Sequence, residues 1–323
     1  MKIHIVIPVH NNCRITLECL RLLSLQTWKN FDVTVTDDGS TDGTYEAIRQ
    51  RFPDVTVLRG DGNLWWTGAI NMALEYILPR AADDDYILTL NNDVTFREDY
   101  LANLAEAANM RPGWLIGSVS LDKNDPERII DAGIYFDWRT RKRLSHQPFE
   151  QGRHFNDYVN RLSGKGVLIP TAVFRRIGLY DTRCLPHYAA DAELTVRAER
   201  AGFALCVYCG AILHSDRSIS GLRYTPFMKL SFGEARNLLF SRKSVSQVKT
   251  RFNITLLCCP REYLIRNLLT ETMNVLQIIT SVKPLWYLKV LFYPMGKLIQ
   301  RKTKKSWAKS KGIGTAQSNS FNL

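Results

Sequence analysis

The sequence predicts an α/β protein with a mostly parallel central sheet and a helical extension at its C-terminal end. Three observations support this fold class. Short apolar runs alternate with segments of helical apolar spacing over about the first 110 residues, which is typical of β-α-β units. Polar residues follow several of these runs, as ligand-binding residues do at the carboxyl ends of parallel strands. From Thr225 onward the pattern becomes helical.

Each element of the first part is predicted from its local spacing. β-Branched apolar runs indicate buried strands, and apolar residues that recur every three to four positions indicate helices. The predicted strands are 2–8, 31–36, 55–59 and 86–90, and the predicted helices are 13–26, 44–51, 64–78 and 96–110.

The rest of the chain continues the sheet without a visible linker and then turns helical. Residues 137–160 are predicted to form a polar loop. No predicted helix contains the roughly 18 uncharged residues of a membrane span. Strands are expected at 114–121, 129–136, 167–170, 203–207 and 211–213, and helices at 172–177, 191–201, 226–242, 249–258, 260–281 and 284–300.

The strand predicted at 86–90 ends in Asn91, Asn92 and Asp93. A carboxylate at the carboxyl end of a parallel strand is a suitable ligand for a hard divalent cation, here Mg²⁺ or Mn²⁺. The alternative is that these residues cap the helix predicted at 96–110, because Asn and Asp are favoured N-caps.

Two further strand ends are polar, at 8–11 and in the turn from Asp37 to Asp42. A carboxylate in this turn can accept the imide N–H of a uracil or thymine ring. The alternative is an ordinary turn, in which Gly39 permits the sharp bend and Thr41 or Asp42 caps the next helix. If the first two strands are neighbours, their polar ends lie together at one edge of the sheet.

Charge is distributed unevenly along the chain. The net charge is +12, and no acidic residue follows Glu271, whereas nine basic residues do. The first 271 residues therefore hold only about +3 of the net charge. Nucleic-acid binding is not indicated, because the basic residues are confined to one end. The basic tail, together with the amphipathic pattern of 284–300, favours an anionic membrane surface as partner.

Cysteine usage and the N-terminus indicate the compartment. The seven cysteines form no C-x-x-C pair, so neither a zinc site nor a disulfide framework is predicted. A reducing cytoplasm fits this pattern. The apolar run at 3–7 is too short and too β-branched for a signal peptide. We expect a cytoplasmic protein, peripheral on the inner face of the cell membrane.

Five motifs together resemble the inverting family 2 glycosyltransferases with the GT-A fold. The first three are Ile-Val-Ile-Pro-Val-His-Asn, Thr-Asp-Asp-Gly-Ser-Thr-Asp-Gly-Thr and Leu-Asn-Asn-Asp. The segments Gly62-Asn-Leu-Trp-Trp-Thr-Gly-Ala-Ile-Asn71 and His187-Tyr-Ala-Ala-Asp-Ala-Glu-Leu194 resemble the bacterial rhamnosyltransferase-like branch. The resemblance covers about residues 3–245 in the family's order.

The resemblance implies a domain at 1–245, with a nucleotide-binding half at 1–110 and an acceptor-side half at 111–224. A helical, membrane-associating extension at 246–300 and a basic, disordered tail at 301–323 would follow. The implied activity is transfer of rhamnose or a similar sugar from a dTDP- or UDP-sugar to a glycan or lipid-linked acceptor, in O-antigen or capsule assembly.

Residue roles are assigned by position in these motifs. Asp93 and His214 are the predicted metal ligands, and Asp191 matches the family's catalytic base. Trp66, Gly166, His187 and Glu193 are candidates for the acceptor or sugar pocket. The predicted donor-binding residues are Pro8, Val9, His10, Asn11, Asp37, Asp38, Asn63, Trp65, Asn91 and Asn92.

Several of these assignments have alternatives. Asp191 could be a helix N-cap, and Glu193 could be the base instead or could orient it. His214 could be an ordinary core or surface histidine, and the two tryptophans could belong to the core.

The sequence departs from the family pattern at the metal-binding strand end. Families of this fold often have two acidic residues there, whereas this chain has only Asp93. Weaker metal binding is expected, with the cation arriving mainly as its nucleotide complex. The Gln-x-x-Arg-Trp run of processive synthases is absent, which favours addition of single sugars.

Two other classes of protein are weighed against this hypothesis. A sugar-nucleotide pyrophosphorylase would need a Gly-rich phosphate-binding loop near the N-terminus, and residues 8–14 contain none. A non-catalytic membrane-binding protein would explain the basic tail but not the polar strand ends.

Overall fold

The computed structural model describes residues 1–144, 154–216, 221–225 and 228–283. The helix predicted at 284–300 and the tail at 301–323 lie outside these residues. The described strands are β1 (Ile3–Val9), β2 (Phe31–Asp37), β3 (Thr56–Arg59), β4 (Tyr86–Thr89), β5 (Thr95–Phe96), β6 (Leu115–Asp122), β7 (Ile129–Asp131), β8 (Tyr135–Asp137), β9 (Lys142–Leu144), β10 (Phe155–Asn156), β11 (Val167–Pro170) and β12 (Leu205–Ser215). The described helices are α1 (Cys13–Ser24), α2 (Thr44–Arg51), α3 (Trp65–Ile77), α4 (Tyr100–Met110), α5 (Thr171–Ile177), α6 (Ala190–Arg200), α7 (Phe232–Phe240), α8 (Val248–Cys258) and α9 (Arg261–Ile279).

The central sheet is mostly parallel, as predicted. Its strand order is β10-β12-β6-β11-β4-β1-β2-β3, with β5 paired to β12 and β7 to β6. Strand β1 lies between β2 and β4 and is parallel to both. The acceptor-side strands extend the same sheet, but β11 enters it antiparallel to β4 and β6. The polar connection from β10 therefore leads into a strand, β11, that runs opposite to β4 and β6, and it does not form another β-α-β unit.

The strand register places three polar strand ends at one edge of the sheet. Val9 at the end of β1 is paired with Asp37 at the end of β2. Val6 is paired with Thr89 of β4, and the Leu90 N–H donates to the Val6 carbonyl at 3.0 Å. The expectation that these ends share an edge is confirmed, and the parallel pairing on both sides of β1 is the reason.

Successive side chains of β1 enter two different cores, as the alternation of a strand requires. Ile5 and Ile7 pack on the face covered by α1 and α4, and Val6 packs on the face covered by α3, α5 and α6. All three side chains are fully buried. Burial of each such aliphatic side chain stabilises the fold by roughly 1.5–3 kcal/mol. This double burial explains why the strand is an unbroken apolar run.

Several predicted strand boundaries were wrong, because the effect of a glycine on a strand depends on strand pairing and not only on the neighbouring residues. The two strands expected at 203–207 and 211–213 are the single strand β12, whose pairing with β6 shifts register between Tyr208 and Ile212. Conversely, the one strand expected at 129–136 is divided into β7 and β8 on either side of Gly133, which has φ 78°. A glycine inside a strand pattern can mark either a bulge or an end.

Other corrections concern segments that tertiary pairing organises. The polar loop expected at 137–160 contains β9, which forms a hairpin with β8, and β10, which pairs with β12. The helix expected from residue 96 starts at Tyr100, because Thr95 and Phe96 form β5. The helix expected from residue 226 starts at Phe232, where Ser231 and Glu234 form a capping box.

The C-terminal helices pack against the sheet domain. Arg200 of α6 donates to the Leu257 carbonyl at the end of α8 at 2.8 Å. Glu271 of α9 is buried and pairs with Arg251 of α8 at 2.8 Å and with Arg141 of the β8–β9 hairpin. Burial alone would raise the pKa of Glu271, but the two arginines lower it below its ordinary value. Glu271 is therefore ionised at neutral pH and connects α9 to the hairpin.

Within the described part of the chain, no helix is both long and apolar enough to cross a bilayer.

Candidate active site

The carboxylate of Asp38 organises the loop that leads into α3. Asp38 is buried, and its Oδ1 accepts hydrogen bonds from the Gly62 N–H at 2.8 Å and the Leu64 N–H at 3.2 Å. Its Oδ2 accepts from the Trp65 N–H at 2.9 Å. Trp65 is held there at φ 59°, a conformation that non-glycine residues rarely adopt. Recognition of the donor base by Asp38 stays a prediction, and it would use the remaining lone pairs of this carboxylate.

The end of β1 and the turn after β2 are tied together by polar contacts. His10 Nδ1 is 2.6 Å from the Asp38 carbonyl oxygen. The Asn11 N–H donates to Ser40 Oγ at 2.7 Å, and Asn11 Oδ1 accepts from the Thr41 N–H at 2.9 Å. Pro8 and Val9 reach this point as the last residues of β1. These predicted donor-binding residues therefore form one continuous surface.

The N-cap residue of α2 is Gly43, so neither Thr41 nor Asp42 occupies the predicted cap position, although Asp42 contacts the starts of two helices. Its Oδ1 accepts from the Thr44 N–H at the start of α2, at 3.2 Å, and its Oδ2 accepts from the Cys13 N–H at the start of α1, at 2.9 Å. Asp37 instead closes the turn by accepting from the Ser40 N–H at 3.0 Å. The two acids nearest the strand end are therefore not helix caps.

The strand end at Asn91–Asp93 does not cap a helix either. The N-cap residue of α4 is Asp99, six residues after Asp93. Asn91 Oδ1 accepts from Trp66 Nε1 at 3.1 Å, and Asn92 Nδ2 donates to Thr16 Oγ1 at 2.8 Å. Each amide thus orients a neighbouring element at the edge of the sheet.

Asp93 has an unsatisfied carboxylate oxygen. Its Oδ1 is buried and has no hydrogen-bond partner among the described residues. Leaving a buried charged group unpaired is costly, and a bound cation would remove that cost. His214 of β12 is paired with Thr95 of β5, two residues after Asp93. The two predicted metal ligands therefore approach the same edge of the sheet.

The protein offers few metal ligands at this edge. No group of three or more His, Cys, Asp or Glu side chains in the described ranges is arranged to hold a metal ion. Asp93 and His214 fit a divalent cation only if the remaining ligands come from elsewhere, such as phosphate oxygens. That the cation arrives with its nucleotide stays a prediction.

Two lysines near Asp93 were not predicted from the sequence. Lys123 Nζ donates to the Asp93 carbonyl at 2.6 Å. Lys165 Nζ donates to Ser215 Oγ at 2.8 Å. Burial lowers the pKa of Lys165, while the charges of Asp131 and Asp93 act to raise it. Both lysines place positive charge beside the strand end where a diphosphate is expected, and the Gly-Lys-Gly motif at 164–166 was the available signal.

Asp191 lies in the first turn of α6 and is not its N-cap, which is Ala189. Its Oδ2 accepts from the Gly164 N–H at 2.8 Å, and its Oδ1 accepts from the Ala192 N–H at 2.8 Å. The side chain is only partly buried. Each oxygen retains a lone pair, so the carboxylate is oriented by the backbone and is still able to accept a proton.

Gly164 and Trp66 connect Asp191 to the strand end at Asn91–Asp93. A Cβ atom on Gly164 would lie 2.6 Å from Trp66 Cζ2 and 3.2 Å from Asp191 Cβ, so only glycine fits between them. The same indole donates to Asn91. Trp66 also packs against the second core and contacts Tyr180 edge to face at 5.6 Å. Asn91, Trp66, Gly164 and Asp191 thus form one contiguous wall, in which Gly164 was not predicted.

The other predicted pocket residues have structural roles. Both oxygens of buried Glu193 accept from Arg197, each at 2.8 Å, which leaves Asp191 as the more available acid. A Cβ on Gly166 would meet Leu213 Cδ2 at 2.4 Å, so Gly166 is required by packing. Their contact with substrate stays a prediction.

His187 and Asn63 are two further predicted binding residues near Trp65, in space and in sequence respectively. The His187 ring contacts Trp65 at 5.3 Å between ring centroids. Burial, with a smaller effect from Lys243, lowers the pKa of His187 to about 4, so the ring is neutral at pH 7. Asn63 is exposed in the loop before Trp65. A role of either residue in donor or sugar binding is not established by these contacts.

The carboxyl ends of the parallel strands are polar, and the wall formed by Trp66 and Gly164 connects them to the oriented carboxylate of Asp191. This is the arrangement of a nucleotide-sugar-dependent transferase. The chain belongs to glycosyltransferase family 2: the family model described as "Glycosyl transferase family 2" matches residues 4–174. The protein is therefore a glycosyltransferase, and the resemblance noted in its motifs is confirmed.

Similar proteins of known name agree with this assignment. N-acetylglucosaminyl-diphospho-decaprenol L-rhamnosyltransferase of Mycobacterium tuberculosis is 30% identical over 229 residues, which cover 62% of this chain and 72% of that protein. Glycosyltransferase GlyG of Streptococcus pneumoniae serotype 4 is 28% identical over 105 residues, which cover 32% of this chain and 33% of that protein.

Solved structures confirm the GT-A fold class. GalNAc-T7 with UDP, GalNAc and Mn²⁺ has a TM-score of 0.56 at 14% identity, covering 88% of this chain, which spans 58% of that chain. The mannosyltransferase PcManGT from Pyrobaculum calidifontis, in complex with GDP-Man and Mn²⁺, has a TM-score of 0.53 at 13% identity, covering 95% of this chain and 83% of that one. S. aureus TarS 1–349 has a TM-score of 0.52 at 16% identity, covering 88% and 81%.

Proposed function

We propose that this enzyme transfers a single sugar, rhamnose or a similar hexose, from a dTDP- or UDP-sugar to a lipid-linked or polysaccharide acceptor. Transfer inverts the anomeric carbon and serves the assembly of a bacterial surface glycan such as O-antigen or capsule. The observation that supports this best is the wall from Asn91 through Trp66 and Gly164 to Asp191. The mycobacterial relative, named as a rhamnosyltransferase for a diphospho-decaprenol-linked sugar, supports the choice of donor sugar and acceptor.

In this proposal, the two halves of the reaction take place at opposite ends of this wall. At the Asp93 end, a bound divalent cation would neutralise the charge that develops on the leaving diphosphate. Lys165 and Lys123 add positive charge there. They would help to neutralise the diphosphate at a strand end that has only one carboxylate to hold the cation. Structures of two neighbours in the same fold contain Mn²⁺, which supports a divalent cation here.

Asp191 acts at the other end of the wall. In an inverting transfer the acceptor hydroxyl attacks from the face opposite the leaving group, and a carboxylate on that face takes its proton. The N–H groups of Gly164 and Ala192 hold the Asp191 carboxylate in place for this step. The transition state resembles an oxocarbenium ion, as in glycoside hydrolysis. One base is enough, because inversion needs a single displacement.

The proposed reaction is tested by incubating the enzyme and Mn²⁺ with dTDP-rhamnose or a UDP-hexose and a short-chain lipid diphosphate that bears N-acetylglucosamine. We expect transfer of one sugar, with the product linkage of opposite anomeric configuration to the donor by NMR. A parallel reaction with EDTA in place of Mn²⁺ should be much slower. Retention of configuration would exclude the single-displacement mechanism. Formation of a sugar nucleotide from a sugar 1-phosphate and a nucleoside triphosphate would favour a pyrophosphorylase instead.

Helix α9 supports a peripheral membrane location for the enzyme. Four large apolar side chains recur at helical spacing on its outer face: Ile265, Leu269, Met273 and Leu276, which are 75%, 62%, 56% and 45% exposed. An apolar stripe of this kind on a helix suits burial at the headgroup boundary of a bilayer. The basic residues after Glu271 would attract anionic lipid to the same end of the protein. A lipid-linked acceptor would then be presented at the membrane surface.

Replacing Ile265, Leu269 and Met273 together with glutamine should weaken binding to phosphatidylglycerol vesicles. Full burial of one such side chain contributes roughly 1.5–3 kcal/mol, so partial burial of three predicts at least a tenfold fall in vesicle partitioning. Cosedimentation measures this, with Met110→Gln as the control because Met110 is 52% exposed on α4. Equal cosedimentation of the triple variant and the wild type would disprove the role of α9.

A further inference from the structure

Arg161 is a cation without an anionic partner among the described residues. Its Nε and Nη2 atoms are buried and have no hydrogen-bond partner among the described residues. The guanidinium carbon lies 4.1 Å from the ring centre of Phe136 and 4.9 Å from that of Trp138. The side chain as a whole is only partly buried. Aromatic faces partly compensate a cation for lost water, but they leave its N–H groups unsatisfied.

The β8–β9 hairpin holds Arg161 in this position. The Arg161 N–H donates to the Ile134 carbonyl at 3.0 Å, and the Ile134 N–H donates back to the Arg161 carbonyl at 3.1 Å. Asn160 Oδ1 accepts from the Phe136 N–H at 2.8 Å, and Asn160 Nδ2 donates to the Phe136 carbonyl at 3.2 Å. The guanidinium and its two rings are therefore placed by backbone contacts, before any ligand binds.

Positive charge accumulates around this guanidinium. Burial, with smaller effects from the charges of Arg143 and Arg141, lowers the pKa of Arg161 to about 10, so Arg161 remains protonated at pH 7. The hairpin also presents Lys142 and Arg143 on exposed positions. Arg141 is neutralised by Glu271 of α9, but Arg161 has no such counterion in the described ranges. The site is suited to an anion.

Arg161 lies on the same side of the site as Asp191, the proposed catalytic base. It precedes Gly164, whose N–H holds Asp191, by three residues, and the Asp191 charge acts to raise the pKa of Arg161. In an inverting transfer this side of the sugar faces the acceptor, while the donor diphosphate leaves toward Asp93. An anion bound at Arg161 therefore belongs to the acceptor.

We propose that Arg161 and the β8–β9 hairpin bind the diphosphate of a lipid-linked acceptor, with the guanidinium of Arg161 contacting phosphate oxygens. This inference rests on the proposed function, because it names the acceptor of that same site. A guanidinium pairs with phosphate oxygens through charge-assisted hydrogen bonds. The hairpin is tied to α9, whose apolar stripe would lie at the membrane from which the lipid extends.

Arg111 provides a matched comparison within the same chain. It also stacks on two rings, at 4.6 Å from Trp114 and 3.9 Å from Phe155, but it is paired with Asp157. If stacking alone explained Arg161, the two arginines would be equivalent. Within the described part of the chain, Arg161 differs from Arg111 in having no carboxylate partner.

The experiment measures binding of farnesyl diphosphate to the full chain by calorimetry, in EDTA so that the metal-dependent donor site is not occupied. We expect Arg161→Met to weaken binding at least tenfold, since hydrogen bonds to charged groups are worth about 1.5–3 kcal/mol. Arg161→Lys keeps the charge without the planar fork, so an intermediate loss of about threefold is expected. Arg111→Met should bind as the wild type does, and thermal unfolding checks that each variant is folded.

The outcomes separate this inference from the proposed reaction. Wild-type binding that is unchanged in both Arg161 variants would overturn the assignment of Arg161, even if sugar transfer is observed. No binding of farnesyl diphosphate to the wild type would also overturn it. Selective loss in the Arg161 variants would support the acceptor site, even if neither dTDP- nor UDP-sugars serve as donors. In the transfer assay, Arg161→Met should raise the KM for a diphosphate-linked acceptor but not for the corresponding alkyl glycoside.

Discussion

Replacing Asp191 with asparagine is expected to lower the rate of sugar transfer by about a thousandfold, within the range of 10²–10⁴ typical for loss of a positioned general base. Asparagine has nearly the same shape, and its Oδ1 can still accept the hydrogen bond from Gly164. The backbone around Trp66 should therefore be unchanged, and the proton acceptor is lost together with the hydrogen bond from the Ala192 N–H. Single-turnover rates at saturating donor measure the chemical step directly.

Two measurements separate a catalytic role of Asp191 from a structural one. Binding of dTDP or UDP should be unaffected in Asp191→Asn, because the donor site lies at the other end of the wall. Glu193→Gln is the matched control, since it removes the alternative base from the ion pair with Arg197. That variant should lose stability, by about 3 kcal/mol for a broken buried pair, but should retain turnover when folded. Full activity of Asp191→Asn with loss in Glu193→Gln would reverse the assignment.

Replacing Asp93 with alanine is expected to abolish metal-dependent nucleotide binding and to lower turnover at least a hundredfold. Charge neutralisation by a bound cation is worth several kcal/mol in the transition state, and about 1.4 kcal/mol corresponds to a factor of ten. Calorimetry with dTDP and with UDP, each in the presence and absence of Mn²⁺ or Mg²⁺, measures the effect and also selects the donor base. Even with metal present, Asp93→Ala should bind nucleotide only with the affinity that the wild type shows in EDTA.

Asp99→Ala is the control for this prediction. Asp99 occupies the N-cap position of α4, the role that Asp93 was considered for. Metal-dependent binding should survive in Asp99→Ala. If Asp93→Ala retained metal-dependent nucleotide binding, the unsatisfied oxygen of Asp93 would need another explanation and the metal site would have to be assigned elsewhere.

Local pattern was sufficient for most elements that carry the nucleotide-side residues. The helix at 44–51 was predicted with the bounds it has, and β1 and β2 were predicted within one residue at each end. These segments are specified by apolar periodicity and by the glycines and acids that end them. Errors arose at Gly133 and near Gly210, because the same residue ends one strand and permits a bulge in another, depending on the pairing partner.

Residues whose role depends on distant segments were not found in this way. Arg161 lies in a stretch without periodicity, and the rings that flank it are more than twenty residues earlier in the chain. Lys165 lies between two glycines, but its proximity to Asp93 depends on the antiparallel insertion of β11 beside β4. Neither fact follows from local composition.

The sequence by itself determined the fold class, the family, the polar strand ends and the concentration of basic charge after Glu271, because each is a property of contiguous residues. Only the tertiary structure decided that Asp38 holds the loop at 62–65, that Gly164 and Trp66 connect Asp191 to Asn91, and that Arg161 has no counterion in the described ranges. Hydrogen bonds and close packing between segments far apart in the chain depend on strand order and register, and those are set by the competition of all strands for one sheet.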